Sequence, residues 1–143
     1  MGVGNPICPQ RYSNEYRIKH AHTMKQTKNN NNIKVYSNTE LDIYRLFNGT
    51  SFATTIRTTF NVLKNILGKP TFKTPFGEDK VQYEWQCRFI IADRIIYATL
   101  YDYKEEHKIQ PTANVEWHIG AFSKEEGEIV EQYLTELLTT NQD

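Results

Sequence analysis

The fold is decided by residues 81–104, which read VQYEWQCRFIIADRIIYATLYDYK. Apolar or aromatic side chains alternate with polar ones over residues 81–89, the period of a strand with one buried face. A second strand is predicted over residues 95–104, because this segment is rich in β-branched and aromatic residues. Residues 92–94 join the two strands as a hairpin. A two-residue turn places on one face Trp85, Cys87, Phe89, Ile96, Ala98 and Leu100.

Two more strands are predicted on either side of this hairpin. Residues 115–121 alternate clearly, whereas residues 52–58 are rich in threonine and alternate more weakly. The in-phase side chains of these strands are Val115, Trp117 and Ile119 in the first, and Phe52, Thr54 and Ile56 in the second.

Two amphipathic helices complete the predicted core. Thr59 is placed to cap the first, which ends at Gly68 and Pro70. Ser123 and Glu126 have the spacing of a capping box at the start of the second. Their apolar stripes are Val62, Leu63, Ile66 and Leu67, and then Ile129, Val130, Tyr133, Leu134, Leu137 and Leu138.

A shorter helix is predicted before the first strand. Ser37 and Glu40 again have capping-box spacing, and residues 48–49 are Asn-Gly, which would stop a helix. The side chains expected to line this helix are Leu41, Ile43, Tyr44 and Phe47.

These elements predict an α+β fold in the order β-α-β-β-β-α, with a mostly antiparallel sheet of about four strands. Both main helices are expected on one face of this sheet, where they would bury every apolar stripe. The single domain is predicted over residues 35–143, and 143 residues suit one domain. Residues 1–34 contain few apolar side chains and four consecutive asparagines, so they are predicted to form a flexible basic arm.

The net charge of zero hides an asymmetry between the arm and the domain. Residues 1–34 carry six Lys or Arg against Glu15, about +5, whereas residues 35–143 carry 11 basic and 16 acidic side chains, about −5. This asymmetry predicts an anionic partner for the arm, or an arm that folds back on its own domain. The candidate polyanion-binding residues are Arg11, Arg17, Lys19, Lys25, Lys28 and Lys34.

The sheet face away from the helices is expected to be open and rich in tyrosine. Tyrosine combines a flat stacking surface with a hydrogen-bonding tip, although exposed strands favour Tyr and Thr without any function. By alternation this face carries Glu84, Gln86, Arg88, Tyr97, Thr99, Tyr101, Tyr103, Glu116 and His118. The candidate ligand-binding residues among them are Glu84, Arg88, Tyr97, Tyr101, Tyr103 and His118.

Asp102 falls in phase with the buried side chains of its strand, so its carboxylate needs a partner. Lys104, Arg57 and backbone amides are the candidates, and a structural role is favoured over a catalytic one. Alternation places His118 on the opposite face, so no direct hydrogen bond between His118 and Asp102 is expected.

No other pattern in the chain predicts chemistry. Cys8 and Cys87 do not make a disulfide framework, and no spacing matches a zinc site, a phosphate-binding glycine loop or a nucleophile elbow. We therefore predict no metal, no cofactor and no catalytic residue. The sequence has neither an apolar run of membrane-spanning length nor a signal peptide, which predicts an intracellular protein that is not secreted and does not enter membranes.

Several motifs resemble those of a known group of proteins. They are EDKV at 78–81, YEW at 83–85, LYDYK at 100–104 and EWHIG at 116–120. Together with Gly-Thr at 49–50 and LGKP at 67–70, they resemble a group of uncharacterised small proteins of bacteriophages and large DNA viruses, over about residues 48–135. Ala121 and Arg94 stand where that group tends to have glycine. The resemblance implies a viral origin without implying a mechanism.

The leading functional hypothesis is a non-enzymatic viral binding or structural module. Its domain would engage a viral or host protein, as a monomer or an oligomer, in the infected cell or the virion, while the arm contacts nucleic acid or a virion component. The alternative is a protein that sequesters a small nucleotide-type ligand on the tyrosine-rich face with the help of Arg88. A second alternative is a small hydrolase-like enzyme that uses Asp102 and His118.

Overall fold

The computed structural model describes residues 31–141, except for the side chain of Asn141. In this part of the chain, six strands and three helices follow one another. The strands are β1 (Ile33–Val35), β2 (Ser51–Thr59), β3 (Phe72–Lys73), β4 (Tyr83–Ile91), β5 (Arg94–Tyr101) and β6 (Asn114–Ala121). The helices are α1 (Ile43–Phe47), α2 (Phe60–Leu67) and α3 (Lys124–Asn141).

The strands form one antiparallel sheet, which confirms the predicted α+β class. Its order is β1-β4-β5-β6-β2, and β3 pairs with β4 beyond the end of β1. The sheet has six strands because β1 and β3, of three and two residues, extend the four that were predicted. Such short strands carry too little alternation to be recognised in a sequence.

The central hairpin has the predicted two-residue turn. Ile91 pairs with Arg94, and Ala92 and Asp93 between them have φ angles of 48° and 69°. Two residues with positive φ are the hallmark of the type I′ turn, whose twist matches that of the flanking strands. The register pairs Trp85 with Leu100, so the apolar side chains of both strands share one face as expected.

Helices α2 and α3 pack together on this apolar face and enclose the core. Trp85 and Trp117 are both fully buried there, with ring centroids 5.6 Å apart in an edge-to-face arrangement. The Trp85 indole N–H donates to the Gly68 carbonyl at 2.9 Å, and that of Trp117 to the Thr58 carbonyl at 3.0 Å. The six predicted core positions of α3 are all buried.

The predicted caps of the two main helices are present. The Thr59 hydroxyl accepts the Val62 N–H at 3.1 Å, and the helix ends at Gly68, whose φ is 87°. The Ser123 hydroxyl accepts the Glu126 N–H at 3.1 Å at the start of α3. These local signals are reliable because each satisfies a backbone group that the helix itself leaves unpaired.

The N-terminal helix is shorter than predicted. The Ser37 N–H donates to Glu40 Oε2 at 2.9 Å, as in a capping box, but the helix begins only after Asp42. Leu41, which was expected to line this helix, lies before its start and is 98% exposed, and Tyr44 within the helix is 75% exposed. Tertiary contacts here override the capping-box signal of Ser37 and Glu40. Phe47 is the only residue of this helix that is buried.

The predicted boundary between the arm and the domain, after residue 34, falls within β1. Lys34 lies in β1, where it pairs with Arg88, and its Nζ lies 3.2 Å from Glu40 Oε1 and 4.6 Å above the Tyr36 ring. Residues 31–34 of the proposed arm therefore belong to the domain. Residues 1–30, and with them the predicted flexibility of the arm, lie outside the described residues.

Candidate functional site

The strand faces are assigned by cross-strand pairing. We call the side opposite α2 and α3 the open face. Glu84 pairs with Tyr101, and Tyr101 pairs with His118, so these three side chains form a line across β4, β5 and β6. Arg88 pairs with Tyr97 further along the same face. The predicted ligand-binding side chains therefore share the open face, as alternation indicated.

One half of the open face is covered by the N-terminal part of the domain. The Phe47 ring lies 5.8 Å from the Tyr97 ring and 5.6 Å from the Tyr36 ring, both edge to face. Burial and the neighbouring Tyr97 side chain raise the pKa of Tyr36. Arg88 lies beside Tyr97, and its Nε is buried without a hydrogen-bond partner among residues 31–141. We call this region the covered half. Arg88 and Tyr97 are half-buried, and α1 contacts the Tyr97 ring, so this part of the face is less open than alternation indicated.

The other half carries an exposed group of aromatic rings around His118. The His118 ring lies 4.8 Å from Phe52, 5.4 Å from Tyr101 and 5.5 Å from Tyr103. Phe52 is 56% exposed and Tyr103 is 40% exposed. We call Phe52, Tyr101, Tyr103 and His118 the aromatic cluster, and the region around it, with Glu84, the exposed half.

Glu84 places a half-buried carboxylate beside the aromatic cluster. Its Oε2 accepts a hydrogen bond from Gln86 Nε2 at 2.7 Å. Burial raises the pKa of Glu84, and the negative charges of Asp102 and Asp79 raise it further, while the bond from Gln86 opposes both. The pKa of the Tyr101 hydroxyl is also raised, by burial and by the charge of Glu84. The Glu84 carboxylate can therefore accept a hydrogen bond or pair with a cation at this part of the open face.

Asp102 is fully buried and serves as a backbone clamp. Its carboxylate accepts the Gln82 N–H at 2.9 Å and 3.0 Å, and the Tyr83 N–H at 2.8 Å. Of the partners considered from the sequence, the backbone amides are the ones found, rather than Lys104 or Arg57. Burial raises the pKa of Asp102, and the two amides oppose that shift because they stabilise the carboxylate.

Gln82 extends this hydrogen-bond network to the long connection between β5 and β6. The Gln82 side chain donates to the His107 carbonyl at 3.0 Å and accepts the Ile109 N–H at 3.0 Å. Asp102 and Gln82 thus join the end of β5, the start of β4 and this connection. Both oxygens of Asp102 thus accept backbone N–H groups, and although the charge of His118 acts to lower the pKa of Asp102, no hydrogen bond joins the two side chains among residues 31–141.

Sequence reasoning missed two rings at the exposed half. A register shift in β2 pairs Phe52 with Gly120 but Thr54 with Ile119, so Phe52 turns to the open face while Ile56 stays in the core. Phe72 of β3 pairs with Glu84 and is 39% exposed. Simple alternation cannot reveal a bulge or a two-residue strand. The weak alternation of residues 52–58 was the one feature of the sequence that indicated an irregular strand.

The remaining expectations concern the arm, metals and membranes. Five of the candidate polyanion-binding residues lie outside the described residues: Arg11, Arg17, Lys19, Lys25 and Lys28. Within residues 31–141, no group of three or more His, Cys, Asp or Glu side chains is placed to hold a metal ion. No helix in that range is long and apolar enough to cross a membrane.

The chain was compared with protein-family models, curated proteins and solved structures, and none of them matches. The resemblance to viral proteins therefore stays a prediction.

Proposed function

We propose that the protein is a non-enzymatic binding module whose exposed half contacts a protein partner. The observation that carries this proposal is the aromatic cluster, in which Phe52 and Tyr103 are partly exposed beside His118. Exposing large rings next to one another keeps apolar surface in water, which folding alone would disfavour. Tyrosine and phenylalanine are also enriched at the buried centres of protein interfaces.

The geometry supports a binding role better than a catalytic one. The buried carboxylate Asp102 is bound by backbone amides, and Glu84 is bound by Gln86. His118 is surrounded by rings, so its neighbours are stacking surfaces rather than an activated nucleophile. A contact surface built from rings and one carboxylate is typical of recognition.

The basic arm supplies the second contact in this proposal. Residues 1–30 contain five Lys or Arg and one acidic residue, about +4, on a domain that is acidic overall. We propose that this segment contacts nucleic acid or a virion component, which suits the viral origin suggested by the sequence motifs. Such binding is expected to weaken steeply with salt, because each phosphate contact releases a counterion.

Site-specific photocrosslinking tests the contact through the exposed half. A benzoylphenylalanine at Tyr103 is expected to crosslink the partner in the protein's native host cells. The same probe at Gln132, exposed on α3, is the matched control and should not crosslink that partner. Equal crosslinking from both positions, or from Gln132 alone, would contradict the proposal.

A second candidate function is the binding of a small nucleotide-type ligand. The line of Glu84, Tyr101 and His118 favours it, because a base can stack on the rings and donate a hydrogen bond to the carboxylate. A ligand that binds only the native state raises its melting temperature. A thermal-shift screen against nucleosides and nucleotides tests this, and stabilisation by one of them that disappears in Tyr101→Ala would favour it over a protein partner.

A further inference from the structure

The exposed half brings aromatic rings and one carboxylate into a single row. Phe72 of β3, Glu84 of β4, Tyr101 of β5 and His118 of β6 are successive cross-strand neighbours. Side chains that are directly opposite each other in antiparallel strands lie about 5 Å apart at Cβ. Glu84 therefore has a ring-bearing neighbour on each adjacent strand, and the rings of Phe52 and Tyr103 lie 4.8 Å and 5.5 Å from that of His118.

Glu84 is the charged group of this row that lacks a cation. Among the described residues, no Lys or Arg forms an ion pair with it. Arg57 on the same face is paired with Glu116 at 3.9 Å. Arg88 lies four residues further along the strand, about 14 Å away at 3.4 Å per residue. A half-buried carboxylate without a counter-ion is costly, and a ligand cation would remove that cost.

The rings of the row also attract cations. The exposed Lys104 side chain places its Nζ 5.2 Å above the Tyr103 ring centroid, which shows that this ring attracts a cation, and a guanidinium stacked on Tyr103 would take the place of that ammonium. The carboxylate and the ring faces thus both favour a positively charged group. The negative charge of the ionised Glu84 carboxylate disfavours a phosphate in direct contact with it.

We propose that the exposed half binds an arginine side chain of a protein partner, with the guanidinium paired to Glu84 and stacked on the rings of Tyr101 and Tyr103. This inference rests on the proposed function and names the chemistry that the partner presents. Arginine fits better than lysine, because its planar guanidinium can form two parallel hydrogen bonds with a carboxylate while its face lies on an aromatic ring. An ammonium group would keep the charge but lose the stacking.

The probe for this site is N-acetyl-arginine-amide, titrated into the full ¹⁵N-labelled chain and followed by amide chemical shifts. We expect millimolar binding, with the shifts concentrated at residues 84, 101 and 103. N-acetyl-citrulline-amide has nearly the same shape without the charge, and N-acetyl-lysine-amide has the charge without the plane. Both are expected to bind at least about tenfold more weakly, as the loss of one charge-assisted contact predicts.

Two substitutions separate the carboxylate from general effects of charge. Glu84→Gln keeps an oxygen for the bond from Gln86, and it should weaken binding of the arginine probe about tenfold or more. Glu116→Gln removes an exposed charge on the same face and should change that affinity by less than about twofold. Tyr103→Ala tests the ring at an exposed position where the fold is not at risk, and amide dispersion reports whether each variant is folded.

The outcomes distinguish this inference from the proposed function. A preference for arginine that Glu84→Gln abolishes supports the inference. Equal binding of arginine and citrulline, no shifts at the row, or equal effects of Glu84→Gln and Glu116→Gln would overturn it. If the arginine preference fails while Tyr103 still crosslinks a partner, only the inference fails. If the preference holds but neither crosslinking position captures a protein, the cation site stands and the proposed function fails.

Discussion

The two faces of the sheet use the same residue types for different purposes. On the core face, Trp85 and Trp117 are fully buried, and the buried carboxylate of Asp102 is bound by two backbone amides. On the open face, the rings around His118 are partly exposed, and Glu84 has one side-chain donor, Gln86. The core face satisfies its polar groups internally, whereas the open face keeps rings and a charge available to another molecule.

The largest expected effect is at the core face. Trp117→Ala should lower the free energy of unfolding by about 3–5 kcal/mol, the usual cost of removing a fully buried large aromatic side chain. Trp117 lies against Trp85, and its N–H donates to the Thr58 carbonyl, so both packing and a hydrogen bond are lost. Urea unfolding monitored by circular dichroism measures this. A loss under about 1 kcal/mol would show that the two faces do not differ in this way.

The next effect concerns the buried carboxylate. Asp102→Ala leaves the buried N–H groups of Gln82 and Tyr83 without their acceptor, and we expect a loss of about 2–4 kcal/mol. Asp102→Asn keeps one acceptor oxygen, so it should lower the free energy of unfolding less than Asp102→Ala does. The same unfolding experiment decides the order of the two variants. If Asp102→Ala and Asp102→Asn lower the free energy of unfolding by the same small amount, the hydrogen bonds from the two backbone amides to Asp102 do not stabilise the fold as we describe.

Glu84 is expected to affect stability in a pH-dependent way. Because its pKa is raised in the folded state, the native protein binds this proton more tightly than the unfolded chain does. Ionisation of Glu84 therefore lowers stability as the pH rises from the unfolded pKa, about 4.3, through the folded pKa. Glu84→Gln removes this loss, so its stability relative to the wild type should be higher at pH 7 than at pH 4. Melting temperatures across this range measure the difference, and a difference that shrinks as the pH rises would contradict the assignment.

The smallest expected effect on stability is at the aromatic cluster itself. Tyr103→Ser should change the free energy of unfolding by less than about 0.5 kcal/mol, because this exposed ring contributes little to the core. The same substitution should weaken partner binding measurably, since an exposed ring is buried only in the complex. Binding that survives Tyr103→Ser and Phe52→Ser together would place the contact elsewhere.

Much of the fold could be predicted because its signals are local. The alternation of residues 81–89 and the helical stripe of α3 each specify which side chains face the core, and the buried residues follow that pattern. The caps at Thr59 and Ser123 depend on atoms three residues apart. The two-residue turn then sets the register of the whole hairpin.

The candidate site could be predicted only in part. Alternation correctly placed Glu84, Tyr101 and His118 on one face, because cross-strand pairing follows from the same period. It could not show that Phe47 covers Tyr97, since that contact joins residues 50 positions apart. Nor could it place Phe52, because a bulge shifts every following side chain to the other face.

The sequence by itself determined the α+β class, the two core tryptophans and the side of the sheet that carries the tyrosines, because these depend on the period of the chain. Only the tertiary structure decided which half of that side remains exposed and which groups Asp102 and Glu84 contact. Those outcomes depend on how α1, β3 and the connection after β5 pack against strands distant in sequence. Such contacts are selected by burial and hydrogen-bond satisfaction in three dimensions, which no local pattern records.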